Sequence, residues 1–231
     1  MKVLRNKKNF KELYNSTIFS DIYKRNAWGG KKGEFYSGAG SHNPYVSTYA
    51  EIIAEFVREN NIHSIIEIGC GDFIVSQAIL DKLNISKHNY SYVGYDVVKP
   101  LIAHNNSIYS SPSIKFVCKD SCSGNIQSGE LLIIRQVLQH LNNNSIKQII
   151  NKFKNYKYII VTEHQPAEKY GDAIKPNADQ LSGSENRLRI KSAVYLDKFP
   201  FNCQIDSKLF SILEWCYGLE AYINTFLIKN N

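Results

Sequence analysis

The segment at residues 64–72, with the sequence SIIEIGCGD, constrains the fold of this chain more than any other feature. Its first part, Ser64–Ile68, is apolar except for Ser64 and Glu67, and two glycines follow within three residues. This order predicts a buried strand, a tight turn and then a helix. A second apolar segment, residues 92–95, is followed directly by Asp96. Two strands that carry carboxylates near their carboxyl ends predict an open α/β sheet with an adenosine-binding edge.

The spacing of glycines in the turn selects among adenosine-containing ligands. A dinucleotide site needs a third glycine three residues after Gly71, where this chain has Ile74. The turn is not followed by the lysine and Ser/Thr pair of a P-loop. Two glycines with flanking carboxylates instead favour a positively charged ligand without phosphates. We therefore predict S-adenosylmethionine as the cofactor and S-adenosylhomocysteine as its product.

The composition describes an ordinary globular domain with one unusual value. The chain has 231 residues, 43% hydrophobic and 21% charged, which is enough for one α/β domain with a full core. The formal net charge is +7. Because the chain has no long basic run with interleaved aromatic residues, we interpret this charge as compositional bias. Nucleic acid is therefore not the expected partner.

Cysteine usage and hydropathy predict the compartment. The five cysteines form no Cys-x-x-Cys pair and have no metal-ligand spacing, which is typical of thiols in a reducing compartment. The N-terminus is charged but has no apolar segment behind it, and no apolar run approaches membrane-spanning length. We expect a cytoplasmic protein with no metal and no membrane partner, and the sequence gives no oligomeric state.

Apolar runs and helical periodicity alternate through the middle of the chain. Strands are predicted at Ser64–Ile68, Tyr90–Asp96, Ile114–Cys118, Leu131–Arg135 and Tyr158–Thr162. Helices are predicted at Lys7–Arg25, Tyr45–Glu59, Ile74–Leu83, Pro100–Asn105 and Ser145–Phe153. Because the strand runs are apolar on both faces, we expect an α/β fold with a three-layer, doubly wound and mostly parallel sheet.

The last third of the chain departs from this alternation. Residues 163–206 are polar with little periodicity, and a connection of this length is typical of a lid or binding element. Lys208–Trp215 and Leu219–Ile228 predict a hairpin. We expect one domain over 1–231. It comprises N-terminal helices and a cofactor-covering loop (1–60), a cofactor-binding core (61–162), a substrate loop (163–206) and a C-terminal hairpin (207–231).

Acidic residues at the ends of three successive predicted strands match what an S-adenosylmethionine site needs. Glu67 would support the sulfonium and amino group, Asp96 would accept from both ribose hydroxyls, and Asp120 would accept from the adenine amino group. Gly69 and Gly71 would let the backbone approach the ligand. Each residue taken alone also fits a local role, such as capping turn amides or ending a strand at the surface.

Four motifs lie in and around the predicted site. They are Trp28, Ser37-Gly38-Ala39-Gly40-Ser41, Gly69-Cys70-Gly71-Asp72-Phe73 and Arg135-Gln136-Val137-Leu138-Gln139-His140-Leu141. With the three carboxylates, they resemble a class I S-adenosylmethionine-dependent methyltransferase, and within it a bacterial group associated with surface-polysaccharide gene clusters. The resemblance implies a Rossmann-like seven-stranded sheet with an antiparallel last strand. It also implies that the loop of Ser37, Gly38, Gly40 and Ser41 covers the methionine end of the cofactor.

The two lines of argument give one set of candidate cofactor-binding residues. The set is Trp28, Ser37, Gly38, Gly40, Ser41, Glu67, Gly69, Gly71, Asp96, Asp120, Ser121 and Arg135. Arg135 could bind a carboxylate of the cofactor or of the acceptor, or form an internal ion pair with Glu67 or Asp120.

The candidate catalytic residues are His140, Glu163 and His164. His140 lies five residues beyond Arg135, and a neutral imidazole there could accept a hydroxyl proton. A histidine packed against the sheet is the alternative interpretation. Glu163 and His164 follow the fifth predicted strand and compete for the same role. In the group that the motifs resemble, Asp often follows the arginine, where this chain has Gln136. If that Asp acts as a base there, this chain must use another residue. The candidate substrate-binding residues are Gln136, Arg187 and Tyr195.

These features predict a methyltransferase for a small polar acceptor. The resemblance implies O-methylation of a sugar or sugar-phosphate precursor of a bacterial surface polysaccharide, or capsule. Three alternatives stay open at this point: an amine or phosphoramidate acceptor, a nucleic acid acceptor, and a non-catalytic subunit that binds the cofactor.

Overall fold

The structure is a computed structural model that describes residues 14–84 and 89–230. The chain divides into two compact units, residues 1–130 and 131–231, which are described in turn. Within the described residues, seven strands form a sheet in the order β3-β2-β1-β4-β5-β7-β6. The strand bounds are given with each unit below.

The first unit contains the strand–turn–helix segment. Its helices are α1, described over 14–24, α2 (Val46–Glu59), α3 (Ile74–Lys82) and α4 (Lys99–Tyr109). Its strands are β1 (Ser64–Ile68), β2 (Ser91–Asp96) and β3 (Ile114–Cys118). Both pairs, β1 with β2 and β2 with β3, are parallel. Their carboxyl ends therefore share one edge of the sheet, where the turn after β1 begins.

The second unit contains the remaining strands. β4 (Gly129–Arg135) is followed by α5 (Asn143–Ile150), β5 (Tyr156–Pro166), β6 (Ser207–Cys216) and β7 (Leu219–Lys229). β7 pairs antiparallel with both β5 and β6. The predicted hairpin and the antiparallel last strand are confirmed, and so is the fold class of a mostly parallel seven-stranded sheet flanked by helices.

Burial follows from the sequence pattern. The apolar face of α2 supplies Ile53, Ala54 and Val57, which have no exposed surface. The runs Leu131–Ile134 and Ile159–Val161 are also almost completely inaccessible. Strands with apolar residues on successive positions are buried on both faces, as helix layers on either side of a parallel sheet require.

Several predicted bounds were wrong for identifiable reasons. The predicted helix at Ser145–Phe153 begins at Asn143 because the Asn142 side chain caps it, accepting a bond from Ser145 N at 2.9 Å. The helix predicted at Pro100–Asn105 extends from Lys99 to Tyr109. The first part of the helix predicted at Lys7–Arg25 lies outside the described residues, and 14–24 are helical as predicted.

The largest correction concerns β5, which continues to Pro166 rather than ending at Thr162. Its polar end stays in the ladder, with Glu163 opposite Asn224 and His164 opposite Ile223 on β7. Glu163 and His164 therefore lie within the strand and do not follow it. Beyond Pro166, the described segment up to β6 contains only short 3-10 turns, at Glu168–Ala173 and Arg187–Ile190.

No described helix combines the length and apolar character needed to cross a membrane.

Candidate functional site

The turn after β1 in the first unit has the backbone geometry that its glycines predict. Gly69 and Gly71 adopt φ of 73° and 52°, and Phe73, at 69°, leads into α3. The amides of Gly69 and Cys70 both donate to the carbonyl of Tyr95 on β2, at 2.8 and 3.1 Å. A Cβ on Gly71 would approach Ser37 Oγ to 2.4 Å. Glycine avoids strain at position 71, because a side chain there would combine a left-handed backbone with a clash against Ser37.

A hydrogen-bonded clasp joins this turn to the loop at residues 37–42. Ser37 N donates to Asp72 Oδ2 at 2.9 Å, and Asp72 N donates to Ser37 Oγ at 2.8 Å. Tyr23 OH lies 2.7 Å from Ser37 Oγ, and His42 Nε2 lies 2.8 Å from Asp72 Oδ2. The predicted cofactor-covering residue Ser37 is therefore held against the turn by both its backbone and its side chain.

Trp28 and the glycines of this loop have defined surroundings. The Trp28 ring packs edge-on against Tyr23, with ring centroids 5.4 Å apart. Gly38 has φ of 95° and begins a 3-10 turn over Ala39–Ser41, in which Ser41 N donates to Gly38 O at 3.1 Å. The loop is a folded element of the first unit with aromatic support from α1.

Asp96 ends β2 as predicted and is anchored by the backbone. Its Oδ1 accepts from Val98 N at 3.0 Å, and its Oδ2 accepts from Gly71 N at 3.2 Å. Loss of solvation raises the pKa of the Asp96 carboxyl, and these two amides partly offset the effect. A carboxylate oxygen can accept more than one hydrogen bond. Asp96 can therefore still accept two hydroxyl donors, which is the role predicted for it.

Glu67 and Asp120 are committed to internal contacts. Glu67 lies one residue before the end of β1, is buried, and accepts bonds from Tyr92 OH and from Ser76 Oγ at 2.6 Å. Asp120 accepts from Asn15 Nδ2 at 3.0 Å and from Cys122 N at 2.8 Å. Asp120 and its neighbour Ser121 are both buried. The cofactor roles of Glu67, Asp120 and Ser121 remain predictions. The hydrogen bonds of Glu67 and Asp120 hold α1, α3 and β2 around the turn.

In the second unit, Glu163 caps the turn that carries His140. Its Oε1 accepts from Leu138 N at 2.8 Å and its Oε2 from Gln139 N at 3.1 Å, at the start of the 3-10 turn Leu138–His140. Burial raises the pKa of Glu163 to about 8, against the opposing effect of these amides. Both oxygens are occupied by backbone donors, so the contacts shown give Glu163 a positioning role.

His140 is held as a neutral imidazole. Its pKa is lowered to about 4, chiefly by burial, with the nearby His164 acting in the same direction and bonds to the backbone of Glu185 and Gly183 acting against it. The Gln139 amide lies between the two histidines, with Nε2 at 3.3 Å from His140 Nε2 and Oε1 at 3.1 Å from His164 Nδ1. The ring is therefore neutral at pH 7 with a lone pair that can accept, and its lowered pKa makes it a weaker base than a free imidazole.

His164 belongs to a polar network that crosses three strands. Its Nε2 lies 2.5 Å from Glu214 Oε2 on β6, and its Nδ1 lies 3.1 Å from Gln136 Nε2. The hydrogen bond to His164 lowers the pKa of Glu214. Arg135 Nη1 donates to Gln136 Oε1 at 2.9 Å, which completes the chain of contacts. Both ring nitrogens of His164 are in contact, which favours a supporting role over proton transfer.

The backbone of Gln136 is unusual. It has φ of 55° directly after β4, and its amide donates to Thr162 O at 2.7 Å. A non-glycine residue in the left-handed region costs on the order of 1 kcal/mol and is enriched at functional sites. The side chain of Gln136 is thereby directed toward Arg135 and His164 instead of continuing the strand pattern.

The two other predicted substrate residues differ in accessibility. Arg187 is 1% exposed, and its guanidinium donates to Leu141 O at 2.7 Å and to Ala178 O at 2.8 Å. These bonds connect residues 178–187 to Leu141, directly after the turn that carries His140. The contacts of Arg187 are therefore structural. Tyr195 is half-buried and lines an open groove, where it can reach a ligand.

Sequence reasoning missed the residues whose partners are distant along the chain. Asp72, His42 and Tyr23 form the clasp in the first unit, and Glu214 partners His164 in the second. Asp72 directly follows Gly71, so its position in the turn was a usable signal. Glu214 lies 50 residues from His164 along the chain, and its neighbouring sequence gives no sign of the contact. Across the part of the chain that the structure describes, no group of three His, Cys, Asp or Glu side chains could hold a metal ion.

Comparisons with known proteins define the fold. No protein-family model matches this chain, and no curated protein matches it. Among solved structures, magnesium protoporphyrin IX methyltransferase from Synechocystis PCC 6803, with bound S-adenosylhomocysteine, is 14% identical. Its TM-score is 0.52, over 96% of this chain and 99% of that one.

Two further solved structures are similar. The methyltransferase domain of bacterial CtHen1 is 12% identical with a TM-score of 0.51, covering 80% of this chain and 100% of that one. A Thermoplasma acidophilum protein, 1320, is 14% identical with a TM-score of 0.50, covering 80% of this chain and 89% of that one. At these identities the likeness lies in the fold alone. This chain has the Rossmann-like fold of S-adenosylmethionine-dependent methyltransferases.

Proposed function

We propose that this chain is an S-adenosylmethionine-dependent methyltransferase. The observation that carries the proposal is the turn of Gly69–Gly71 at the sheet edge, with the Asp96 carboxylate fixed beside it through Gly71 N at 3.2 Å. The left-handed glycines form the tight turn that brings Gly71 N to the Asp96 carboxylate, and Asp96 keeps acceptor capacity for a diol. When bound, S-adenosylmethionine supplies a methyl group activated by its sulfonium.

The residues of the first unit fit this cofactor. Asp96 would accept from the ribose hydroxyls, and Asp120 and Ser121 would lie at the adenine. The loop of Ser37, Gly38, Gly40 and Ser41 would cover the methionine end, held by the Ser37–Asp72 clasp. Methyl transfer needs little covalent help from a protein, because positioning and exclusion of water dominate.

The second unit would supply the acid–base groups and the acceptor contacts. A hydroxyl acceptor loses its proton as the methyl group arrives, and we propose that His140, which is neutral at pH 7, takes it. Burial lowers the pKa of His140 to about 4, so bound acceptor must favour the protonated ring for this step. Glu163 and the Gln139 amide would orient His140. We propose a sugar hydroxyl as the acceptor, and the support is the resemblance of the sequence motifs to methyltransferases of surface-polysaccharide clusters.

A calorimetric titration with S-adenosylhomocysteine tests the cofactor assignment. Asp96→Ala removes two hydrogen bonds to a charged acceptor, each worth about 1.5–3 kcal/mol. Loss of one such bond alone weakens binding roughly 10- to 150-fold. The matched control is Asp81→Ala, which removes an exposed carboxylate from α3 of the same unit. Equal affinities for the Asp96→Ala variant and the control would exclude the ribose assignment.

A further inference from the structure

A wide groove lies in the second unit, and Tyr195 is the candidate substrate residue that lines it. It has a volume of about 1090 Å³. Its floor is one face of β7 with the end of β5, and its walls are the segments around Glu168–Asp172 and Tyr195–Lys198. Ordinary small-molecule sites are roughly 300–1,000 Å³. The groove therefore has room for a ligand longer than a single sugar ring.

The floor of the groove carries fixed amide groups. Asn224 Nδ2 donates to Gln165 Oε1 at 3.0 Å, and Ser211 Oγ lies 2.7 Å from Asn224 Oδ1. Gln165 Nε2 donates to Val194 O at 2.9 Å. Each amide nitrogen has two N–H groups, and these bonds use one of each. The floor thus offers oriented neutral donors and acceptors that are already rigid, which lowers the entropic cost of binding a polar ligand.

Aromatic rings stand among these polar groups. Tyr222 and Phe226 on β7 and Tyr195 on the opposite wall line the groove, and all three are half-buried. Lys198 Nζ lies 4.6 Å from the centroid of the Tyr195 ring. Rings with one polar end suit a ligand that has both an apolar face and a polar edge. A pyranose has these two sides, a face of C–H groups and an edge of hydroxyls.

The charges in the groove argue against a phosphate-rich ligand. Three lysines line it, together with four carboxylates, namely Glu168, Asp172, Asp197 and Glu220. Lys169 is paired with Glu220 at 2.5 Å. Glu168 and Asp197 both act electrostatically on Tyr195. A nucleic acid or diphosphate would meet these carboxylates with a repulsive contact, whereas a neutral polyhydroxylated ligand can use both signs as hydrogen-bond partners.

We propose that this groove binds a neutral oligosaccharide of two or more units. Stacking on Tyr222 and Tyr195, and hydroxyl contacts to Asn224, Gln165 and Asp197, would hold it. The link to methyl transfer rests on the proposed function: the oligosaccharide would be the part of the acceptor that does not react. The ligand class itself is argued from the groove and does not depend on the cofactor.

An array of neutral and acidic bacterial surface glycans tests the ligand class, with hits repeated in solution by saturation-transfer NMR on the full chain. We expect binding of neutral glycans of two or more units, and no tighter binding of acidic glycans or nucleotide sugars. Tyr222→Leu should weaken the hits by at least about tenfold. The matched control Tyr45→Leu removes an exposed ring of the first unit and should change nothing.

A second variant guards against misfolding of the first. Asp197 is exposed, so Asp197→Asn should fold normally and still weaken the hits. No hit on the array, or hits that both groove variants leave unchanged, would overturn the proposal. S-adenosylhomocysteine titrations on the same samples separate the two proposals. If the protein binds glycans but not S-adenosylhomocysteine, the groove proposal stands and the methyltransferase proposal is refuted. If it binds S-adenosylhomocysteine but not glycans, only the groove proposal is refuted.

Discussion

Replacing Glu163 with glutamine should change how the stability of this protein depends on pH. Glu163 is buried to 1% exposure and its pKa is raised from 4.5 to about 8. A group whose pKa is higher in the folded state stabilises it fully below the unfolded pKa, and this stabilisation is lost as pH rises through the folded pKa. Between pH 4.5 and pH 8, the wild-type free energy of unfolding should therefore fall, and the glutamine variant should lack this component.

The magnitude follows from the shift. One pKa unit corresponds to about 1.36 kcal/mol, so a rise from 4.5 to about 8 is on the order of 5 kcal/mol over the full range. Glutamine also loses one of the two backbone bonds, because its NH2 group faces an amide donor at Leu138 or Gln139. That loss is independent of pH and lies at about 1–3 kcal/mol.

Urea unfolding followed by circular dichroism at pH 5, 6, 7 and 8 gives the measurement. The free energy of unfolding of the wild type minus that of Glu163→Gln should be several kcal/mol larger at pH 5 than at pH 8. Titrating groups distant from Glu163 cancel in this difference. His140, on the turn that Glu163 caps, has a lowered pKa that destabilises the fold as pH falls from 6.5 toward 4, which opposes the predicted trend. Glu55→Gln, on the exposed face of α2, is the control. If this difference in the free energy of unfolding stayed constant within about 0.5 kcal/mol from pH 5 to pH 8, the assigned pKa shift would be refuted.

Two further predictions concern the same turn. His140→Ala should lower turnover at saturating acceptor by roughly 10²–10⁴-fold, as loss of a general base does, and should leave the affinity for S-adenosylhomocysteine unchanged in calorimetry; an unaffected turnover would place the base elsewhere. Gln136→Gly and Gln136→Ala both remove the contacts to Arg135 and His164, but only glycine relieves the backbone at φ of 55°. The glycine variant should therefore be more stable than the alanine variant by about 1 kcal/mol in urea unfolding, and an equal or lower stability would contradict the strain.

The elements around the turn could be predicted because their determinants are local. The apolar run Ser64–Ile68 and the glycines after it are contiguous, and the observed strand has the same bounds. The left-handed backbone at Gly69 and Gly71 follows from the residue type itself. The apolar strands and the final hairpin were predicted for the same reason, since periodicity over five to ten residues decides both.

The polar end of β5 could not be predicted because its stabilising partner is distant. Hydrophobicity ends at Val161–Thr162, yet pairing with β7 continues to Pro166 opposite Ala221. Glu163, His164 and Gln165 stay in the ladder because each side chain finds a specific polar partner, such as Asn224 for Gln165. Buried polar groups need such partners, and only the folded chain supplies them.

The position of the candidate base follows from the same long-range pairing. Strand β5 must extend past Thr162 to place Glu163 within reach of the amides of Leu138 and Gln139. That cap fixes the 3-10 turn Leu138–His140. The turn then places His140 Nε2 at 3.3 Å from Gln139 Nε2. A chain that ended β5 at Thr162 would lose the cap. We therefore propose that Glu163 and His140 do not compete for one role: Glu163 holds the turn, and His140 would accept the proton.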